Sequence, residues 1–457
     1  MSKFPKERRF SLHGQWSSHL AFILAVSGSA VGLGNIWKFP YIAGVNGGGA
    51  FVLVYLVCVF VIGLPIMMSE ILMGRRGRRT PVAPVALLGQ EEGGTSRWGI
   101  VGVVGVATGF FILSYYSVIA GWAVAYIFEG ASGAFKGADA QQVGQLFSRI
   151  SGNWFITGFW HTAFMALTIF VVARGVKGGL ERAVRILMPA LIGLLLLLLV
   201  YSMIAGDFAR GFAFLFEPKF SELTGSGVLE ALGHAFFTLS VGMGAVMAYG
   251  AYLPAESSIG KTSIAVVVAD TLIAIVAGLV IFPIVFANGL DPAAGPGLIF
   301  QSLPLAFGQL PGGSFVAAVF FLLLSFAAWT SAISLMEPAV AWLMERKKLL
   351  RPVAAIVIGG LIWLLGFLTV FSNSVLSGFT FFQGTFFDNI DFVTSNIALP
   401  VGGLAIVVFA GWFMSSSSTS EELDPDAGLG YQLWRFSARF IAPVAVVCIF
   451  LNAVGVF

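Results

Sequence analysis

Two glycine pairs, Gly32-Leu33-Gly34 and Gly242-Met243-Gly244, lie inside apolar stretches beside the polar side chains Asn35 and Ser240. Glycine weakens a helix and lets the backbone leave its own hydrogen bonds. In apolar surroundings the freed amides and carbonyls must line a polar cavity or bind something. The chemistry on offer is non-covalent: backbone dipoles and hydroxyls that hold ions and a charged solute. Close helix packing is the other use of such glycines, but it does not explain a pair in each half of the chain with a polar neighbour. Asp270 adds an ionisable group within Ala265-Val266-Val267-Val268-Ala269-Asp270-Thr271-Leu272-Ile273, where an unpaired carboxylate is costly and must be paired or protonated. His13, His19, His161 and His234 form no ligand cluster or triad, which makes an enzyme the weakest reading. Cys58 and Cys448 lie in apolar stretches without zinc-like or redox spacing.

The elements that carry these residues follow from composition. The chain has 457 residues, 58% of them hydrophobic and 10% charged, with a mean hydropathy of +0.92. Ordinary globular chains are about 25% charged, so this is a polytopic membrane protein whose first partner is the lipid bilayer. Its basic residues are spread over short loops and offer nothing to nucleic acid. Runs of about 20 apolar residues predict eleven spans, near 17–39, 48–74, 98–128, 154–173, 181–205, 227–252, 261–289, 312–344, 353–371, 388–414 and 433–456. With the N-terminus inside, the inner side holds the clusters Lys3/Lys6/Arg8/Arg9, Arg75/Arg76/Arg78/Arg79, Arg174/Lys177/Arg182/Arg185 and Arg346/Lys347/Lys348/Arg351, together with Arg97, Lys261, Arg435 and Arg439. Only Lys136, Arg149, Arg210 and Lys219 fall outside. The positive-inside rule therefore predicts a cytoplasmic N-terminus and, with an odd number of spans, Phe457 outside. The basic start Met1 to Arg9 is not followed by a cleavable signal pattern.

Each half begins with an interrupted helix, and five spans per half invert the second half relative to the first. The expected fold is all-α, a 5+5 inverted-repeat transporter with discontinuous helices 1 and 6 and an eleventh helix outside the repeat. The expected organisation is a cytoplasmic segment 1–14, a first repeat 15–205, a second repeat 206–414, a cytoplasmic linker 415–432 and the eleventh span 433–457. Residues 129–153 and 206–226 read as modest outer loops. Leu290 to Gly313, with Pro292, Pro296, Pro304 and Pro311, reads as a longer loop able to fold over the outer mouth. Ser415 to Gly430, serine-rich and then acidic, reads as a flexible linker.

The run Ala30-Val31-Gly32-Leu33-Gly34-Asn35-Ile36-Trp37-Lys38-Phe39-Pro40-Tyr41, followed by Asn46-Gly47-Gly48-Gly49-Ala50-Phe51, resembles the first-helix signature of the neurotransmitter:sodium symporters. Gly63-Leu64-Pro65 with Glu70, Phe237-Thr238-Leu239-Ser240, Gly295-Pro296-Gly297-Leu298-Ile299-Phe300 and Trp329-Thr330-Ser331 extend the resemblance, in order, from about Gln15 to Trp412. Eleven spans is similar to several bacterial members, which places the chain in a bacterial inner membrane.

The resemblance implies a set of site residues. A substrate carboxylate meets the backbone at Leu33 and Gly34 and the Tyr116 hydroxyl; exposed amides at a helix break suit an anion. Its ammonium meets the carbonyls of Ala30, Phe237 and Thr238 and the Ser240 hydroxyl. One sodium ion takes the carbonyl of Ala30, Asn35, both oxygens of Thr238, Asp270 and the substrate carboxylate. A second takes the carbonyls of Gly28, Val31 and Ala327 and the hydroxyls of Thr330 and Ser331, since hard cations favour oxygen. No organic cofactor is implied. Chloride-dependent members carry a neutral amide at the position of Asp270, a serine where this chain has Ala274, and a glutamine where it has His234. A fixed carboxylate beside sodium replaces the anion, so transport is expected to be chloride-independent; a protonated Asp270 bonded to a neighbouring helix and a proton-antiport role are the alternatives. Lys38 and Asp391 are the expected outer gate, with Phe237 and Tyr116 as an aromatic lid beneath. Trp16, Tyr252 and Glu345 are the expected inner gate, with His13 or Arg9 in place of the usual N-terminal arginine.

Monoamine carriers of the family have aspartate at the position of Gly32. Glycine there implies a substrate that brings its own carboxylate, an amino acid. The side-chain pocket of Ile112, Tyr116, Phe237, Ser240, Met243, Ser331 and Leu335 contains no charge, which disfavours a charged side chain. Met243 stands where a bacterial amino-acid carrier of the family has phenylalanine, and a flexible thioether accommodates varied shapes. The implied activity is sodium-coupled import of a neutral, hydrophobic or aromatic amino acid by alternating access. A proton-coupled or exchanging amino-acid permease and a non-transporting sensor remain open.

Overall fold

A computed structural model describes residues 14–295, 297–424 and 428–453. His13 and Arg9, the two candidates for the inner latch, lie outside the described residues. Among the described residues nine helices are long and apolar enough to cross a membrane, and the pair His19–Ala30 and Gly34–Val45, bent by 49° at its break, makes a tenth span. Gly225–Thr238 and Ala245–Ala251, separated by residues 239–244, occupy the place of predicted span six. All eleven predicted stretches are thus helical, two of them interrupted where the glycine pairs stand. The two ends of the bundle are called inner and outer after the predicted orientation.

Local chemistry accounts for most starts and stops. Ser18, Asn153 and Ser258 accept hydrogen bonds from the first-turn amides of spans 1, 4 and 7, the usual work of an N-cap. Pro65, Pro304 and Pro400 each follow a turn of wider helix (Val59–Gly63, Leu298–Ser302 and Phe392–Ala398), which accommodates the missing N–H without ending the helix. Burial sorts the spans into layers. The apolar windows of Ser96–Ala131 and Gly313–Lys347 (spans 3 and 8) are 72% and 78% buried, whereas those of Val176–Ala205 and Leu429–Leu451 (spans 5 and 11) are 33% buried. Spans 3 and 8 therefore form the centre, against which the broken helices lie, and spans 5 and 11 face lipid.

Four connections carry more structure than the sequence predicts. The long outer segment contains a turn of wide helix, Leu298–Ser302, and the helix Leu303–Gln309; Phe300 packs its ring on Tyr126 and Phe321, so apolar burial overrides the prolines. The outer loops hold the helices Ala140–Ser151 and Phe208–Phe216. The first of these is started by a reciprocal cap between Asp139 and Gln142. The predicted flexible linker forms the helix Ser416–Leu423, capped by Ser415 and docked on arginines of span 2.

Candidate functional site

The first half-helix of span 1 ends at Val31, whose backbone is extended and whose N–H donates to Ser27 O at 2.7 Å. Helix ends leave carbonyls without helical donors, and the next half-helix leaves amides without acceptors. On the amide side, Gly32 N–H donates to Asn35 Oδ1 at 2.9 Å and Leu33 N–H to the Tyr116 hydroxyl at 3.2 Å. On the carbonyl side, Ser331 Oγ lies 3.5, 3.1 and 3.2 Å from the carbonyl oxygens of Gly28, Ser29 and Val31. Thr330 Oγ1 lies 3.0, 3.2 and 3.5 Å from those of Ala327, Phe326 and Val31. The Phe326 and Ala327 carbonyls lie inside the continuous helix of span 8, so the oxygens short of donors are those of Gly28, Ser29 and Val31 at the break. The surplus of hard oxygen suits a small cation, and all five groups expected around the second sodium meet at this point.

Span 6 breaks by a different route. Ser240, Gly242 and Gly244 adopt left-handed backbone with φ of 53°, 86° and 75°, conformations that favour glycine at the last two. Ser240 Oγ donates to Ser29 O at 2.8 Å and ties the two breaks together. The buried carboxylate of Glu70, from span 2, accepts from Gly242 N at 2.6 Å and Met247 N at 3.2 Å. It caps the start of the second half-helix from a neighbouring span, as an anion does at a helix N-terminus. The sequence marks Glu70 as part of a motif without indicating this work.

Asp270 sits where three elements meet. Asn35 Nδ2 donates to Asp270 Oδ1 at 2.7 Å and reaches Thr238 Oγ1 at 3.1 Å. Thr238 Oγ1 lies 3.2 and 3.1 Å from the two Asp270 carboxylate oxygens. None of these three residues is more than 1% exposed. The side chains expected around the first sodium are thus already in contact, with Ala30 lining the adjacent cavity. Asp270 is paired by hydrogen bonds to spans 1 and 6, which answers the cost of its burial.

Between the two breaks lies a small cavity lined by Ser29, Ala30, Gly32, Leu33, Gly34, Ile112, Tyr116, Phe237, Ser240, Met243, Ser331 and Leu335. Every residue expected to line the side-chain pocket is among them, and none is charged. Its volume of about 20 Å³ is room for roughly one water, so a solute must displace side chains of the wall, among which Met243 is the most adaptable by chemistry.

The gates are unequal. Lys38 and Asp391 form no ion pair: Lys38 Nζ rests 4.4 Å from the centre of the Phe237 ring, and Asp391 accepts from Ser395 Oγ at 2.8 Å. The expected outer pair is not made in this arrangement; the lysine head, a flexible point charge less directional than arginine, rests on an aromatic face. At the inner end Trp16 N–H donates to Tyr252 O at 3.2 Å, and its indole N–H to Tyr249 O at 3.3 Å, with the rings 6.2 and 5.3 Å apart. Glu345 accepts from Thr80 N at 3.1 Å and Thr80 Oγ1 at 2.8 Å. The Tyr252 hydroxyl donates to Glu337 Oε1 at 2.9 Å. Glu337 is paired with Arg351, whose Nε donates to Val172 O at 2.8 Å. This pair was not among the expected gate residues. Its signal in the sequence is an ionisable residue, Glu337, within an apolar run, but nothing local names Arg351 as its partner.

The family model "Sodium:neurotransmitter symporter family" matches residues 13–142 and 149–457. A sodium-dependent transporter of Bacillus subtilis, YhdH, is 39% identical over 445 residues, covering 97% of this chain and 98% of that protein. A sodium-dependent transporter of Haemophilus influenzae is 31% identical over 444 residues, covering 96% and 97%. The crystal structure of MhsT in complex with L-phenylalanine superposes with a TM-score of 0.89 at 44% identity, covering 96% of this chain and 99% of that one. With two broken helices facing one cavity and relatives matched over nearly their full length, the chain belongs to the sodium:neurotransmitter symporter family and is a sodium-dependent transporter.

Proposed function

We propose that the protein is a symporter that couples two sodium ions to the import of a neutral hydrophobic or aromatic amino acid, without chloride, across a bacterial inner membrane. The observation that carries this reading is an uncharged cavity bounded on one side by the Leu33 amide and the Tyr116 hydroxyl and on the other by the carbonyl end of span 1. An α-amino acid has complementary ends for both, and its side chain is left to Ile112, Met243, Phe237 and Leu335. The phenylalanine bound in MhsT supports the same class. Gly32 leaves the anion-binding duty to the solute.

In this mechanism the first sodium sits among Ala30, Asn35, Thr238 and Asp270 and touches the substrate carboxylate, so substrate and ion favour each other. The second sodium, among Gly28, Val31, Ala327, Thr330 and Ser331, joins span 1 to span 8. Ions and substrate stabilise an outward-facing and then an occluded arrangement. Spans 1, 2, 6 and 7 then tilt against spans 3, 4, 8 and 9 to release the load inside. Uptake follows the sodium gradient because binding of the two solutes is reciprocally linked. Asp270 supplies the fixed negative charge beside sodium that makes chloride unnecessary.

The test is uptake of radiolabelled leucine, phenylalanine, tyrosine, tryptophan and methionine into proteoliposomes, with an inward sodium gradient against a choline control. Sodium-dependent accumulation that persists when gluconate replaces chloride is the expected result. Binding without accumulation would indicate a sensor. Sodium-independent uptake would remove both cation assignments.

A further inference from the structure

The helix Ser416–Leu423, in the linker between spans 10 and 11, meets the inner end of span 2 through a dense set of polar contacts. Arg75 Nε bonds Glu422 Oε2 at 2.6 Å, and its two terminal nitrogens bond Glu422 O and, at 2.5 Å, Ser257 O. Arg76 reaches Glu421 at 3.3 Å, Glu422 at 3.8 Å and the Ser418 hydroxyl at 3.1 Å. The Arg75 side chain is 6% exposed and that of Glu422 18%, so this part is shielded from solvent and more than a surface ion pair. On its other side the same helix is fixed to span 11, where Thr419 Oγ1 lies 2.8 Å from the Tyr431 hydroxyl and accepts from Arg435 at 3.0 Å. Ser415 N–H donates to Glu92 at 3.0 Å, in the inner helix Val82–Gly93.

Span 2 and Ser257, in the loop between spans 6 and 7, belong to the group of helices proposed to tilt. Spans 10 and 11 stand outside both groups, and span 11 also meets span 2 directly, with Trp434 Nε1 donating to Pro65 O at 3.1 Å and Ser437 Oγ to Val61 O at 2.5 Å. We propose that Ser416–Leu423 is an electrostatic clamp that fastens the inner ends of the tilting helices to span 11 and so holds the inner side shut. The inference rests on the alternating-access reading, although the clamp itself is a property of the resting molecule. Its contacts run from the inner ends of the tilting helices to helices outside that group. Opening the inner side displaces span 2 relative to a helix anchored by Tyr431 and Arg435, and the three arginine–glutamate contacts must part. Both partners at the Arg75 site are bonded twice over, so the clamp releases as a unit.

Hydrogen–deuterium exchange on the full-length protein in detergent, in choline buffer without substrate, tests this. In the Glu421→Gln/Glu422→Gln variant the peptides covering His19–Ala30 and Ala245–Ala251 should exchange at least threefold faster than in the unmodified protein, while those of spans 3 and 8 do not change. The milder Arg76→Gln, which cuts the contacts from the other side and leaves Arg75 with its partner, must move the same peptides in the same direction. Unchanged exchange in both variants, or acceleration spread evenly over all spans, would overturn the clamp. Sodium-dependent binding of labelled phenylalanine to the unmodified protein is measured in parallel. Its absence would count against the symporter reading and leave the exchange result to judge the clamp alone.

Discussion

Replacing Asp270 by alanine is expected to lower the apparent affinity for sodium by about 100-fold or more and to abolish accumulation at ordinary sodium concentrations. A cation about 3 Å from a carboxylate gains on the order of 5 kcal/mol at an effective dielectric of about 20. Even half of that survives as ~100-fold in affinity. The substitution also strips Asn35 Nδ2 of its 2.7 Å acceptor and leaves Thr238 facing an apolar methyl, so the remaining ligands lose their orientation. Equilibrium binding of labelled phenylalanine titrated with sodium reads this directly. A variant whose sodium dependence stays within threefold of the unmodified protein would place the first ion elsewhere. Thermal unfolding followed in parallel separates loss of the site from loss of the fold.

Gly32→Ala is expected to remove substrate binding, again by 100-fold or more, with little damage elsewhere. A β-carbon at that position collides with Ser331 Oγ and comes within 2.8 Å of the Tyr116 hydroxyl. Tyr116 bounds the space assigned to the substrate carboxylate, and Ser331 belongs to the side-chain pocket and the proposed second sodium set, so one methyl both fills the first and pushes against the second. Overpacking of this kind costs about 1–3 kcal/mol in stability, which thermal unfolding of the variant reads separately from binding. The contrast with Gly178, where an added β-carbon meets nothing within 4 Å, supplies the control: Gly178→Ala should bind as the unmodified protein does. Retained binding in Gly32→Ala would mean that the substrate's charged end does not lie against residue 32.

How far such a site is legible in the sequence depends on whether its residues announce themselves locally. Gly32, Gly242 and Gly244 do, because glycine at the centre of an apolar run, repeated in both halves, marks a helix break. Asp270 does as well, being the wrong type of residue for its surroundings. Thr330 and Ser331 do not: hydroxyls one turn from their own helix carbonyls are ordinary, and only the resemblance to a family singles them out before the geometry does. Pairings between distant segments are less visible still. Nothing near Glu337 names Arg351, and nothing near Arg75 names Glu422, because such partners are chosen by packing. Lys38 and Asp391 show the converse, two charges whose proposed meeting the sequence suggests and whose actual neighbours are Phe237 and Ser395. The linker Ser415 to Gly430 has the composition of a flexible tether, yet its first serine caps a helix and its glutamates find arginines. Composition is blind to both, since a cap and an ion pair depend on position.

The walls of the cavity belong to two bodies: Leu33, Gly34 and Ser240 to the broken helices, Tyr116 and Ser331 to the buried spans 3 and 8. Across that seam, the site itself contributes the bond from Leu33 to Tyr116, those from Ser331 to the span 1 carbonyls, and that between Ser29 and Ser334 at 2.8 Å. Neutral hydrogen bonds of this sort are worth about 1 kcal/mol each. In the proposed mechanism an amino acid and its ions replace them with charged bonds that grip both bodies, so the cargo would be the mortar of its own carrier, and a site emptied on the inside would leave only the weaker neutral bonds to join the two halves as they slide back.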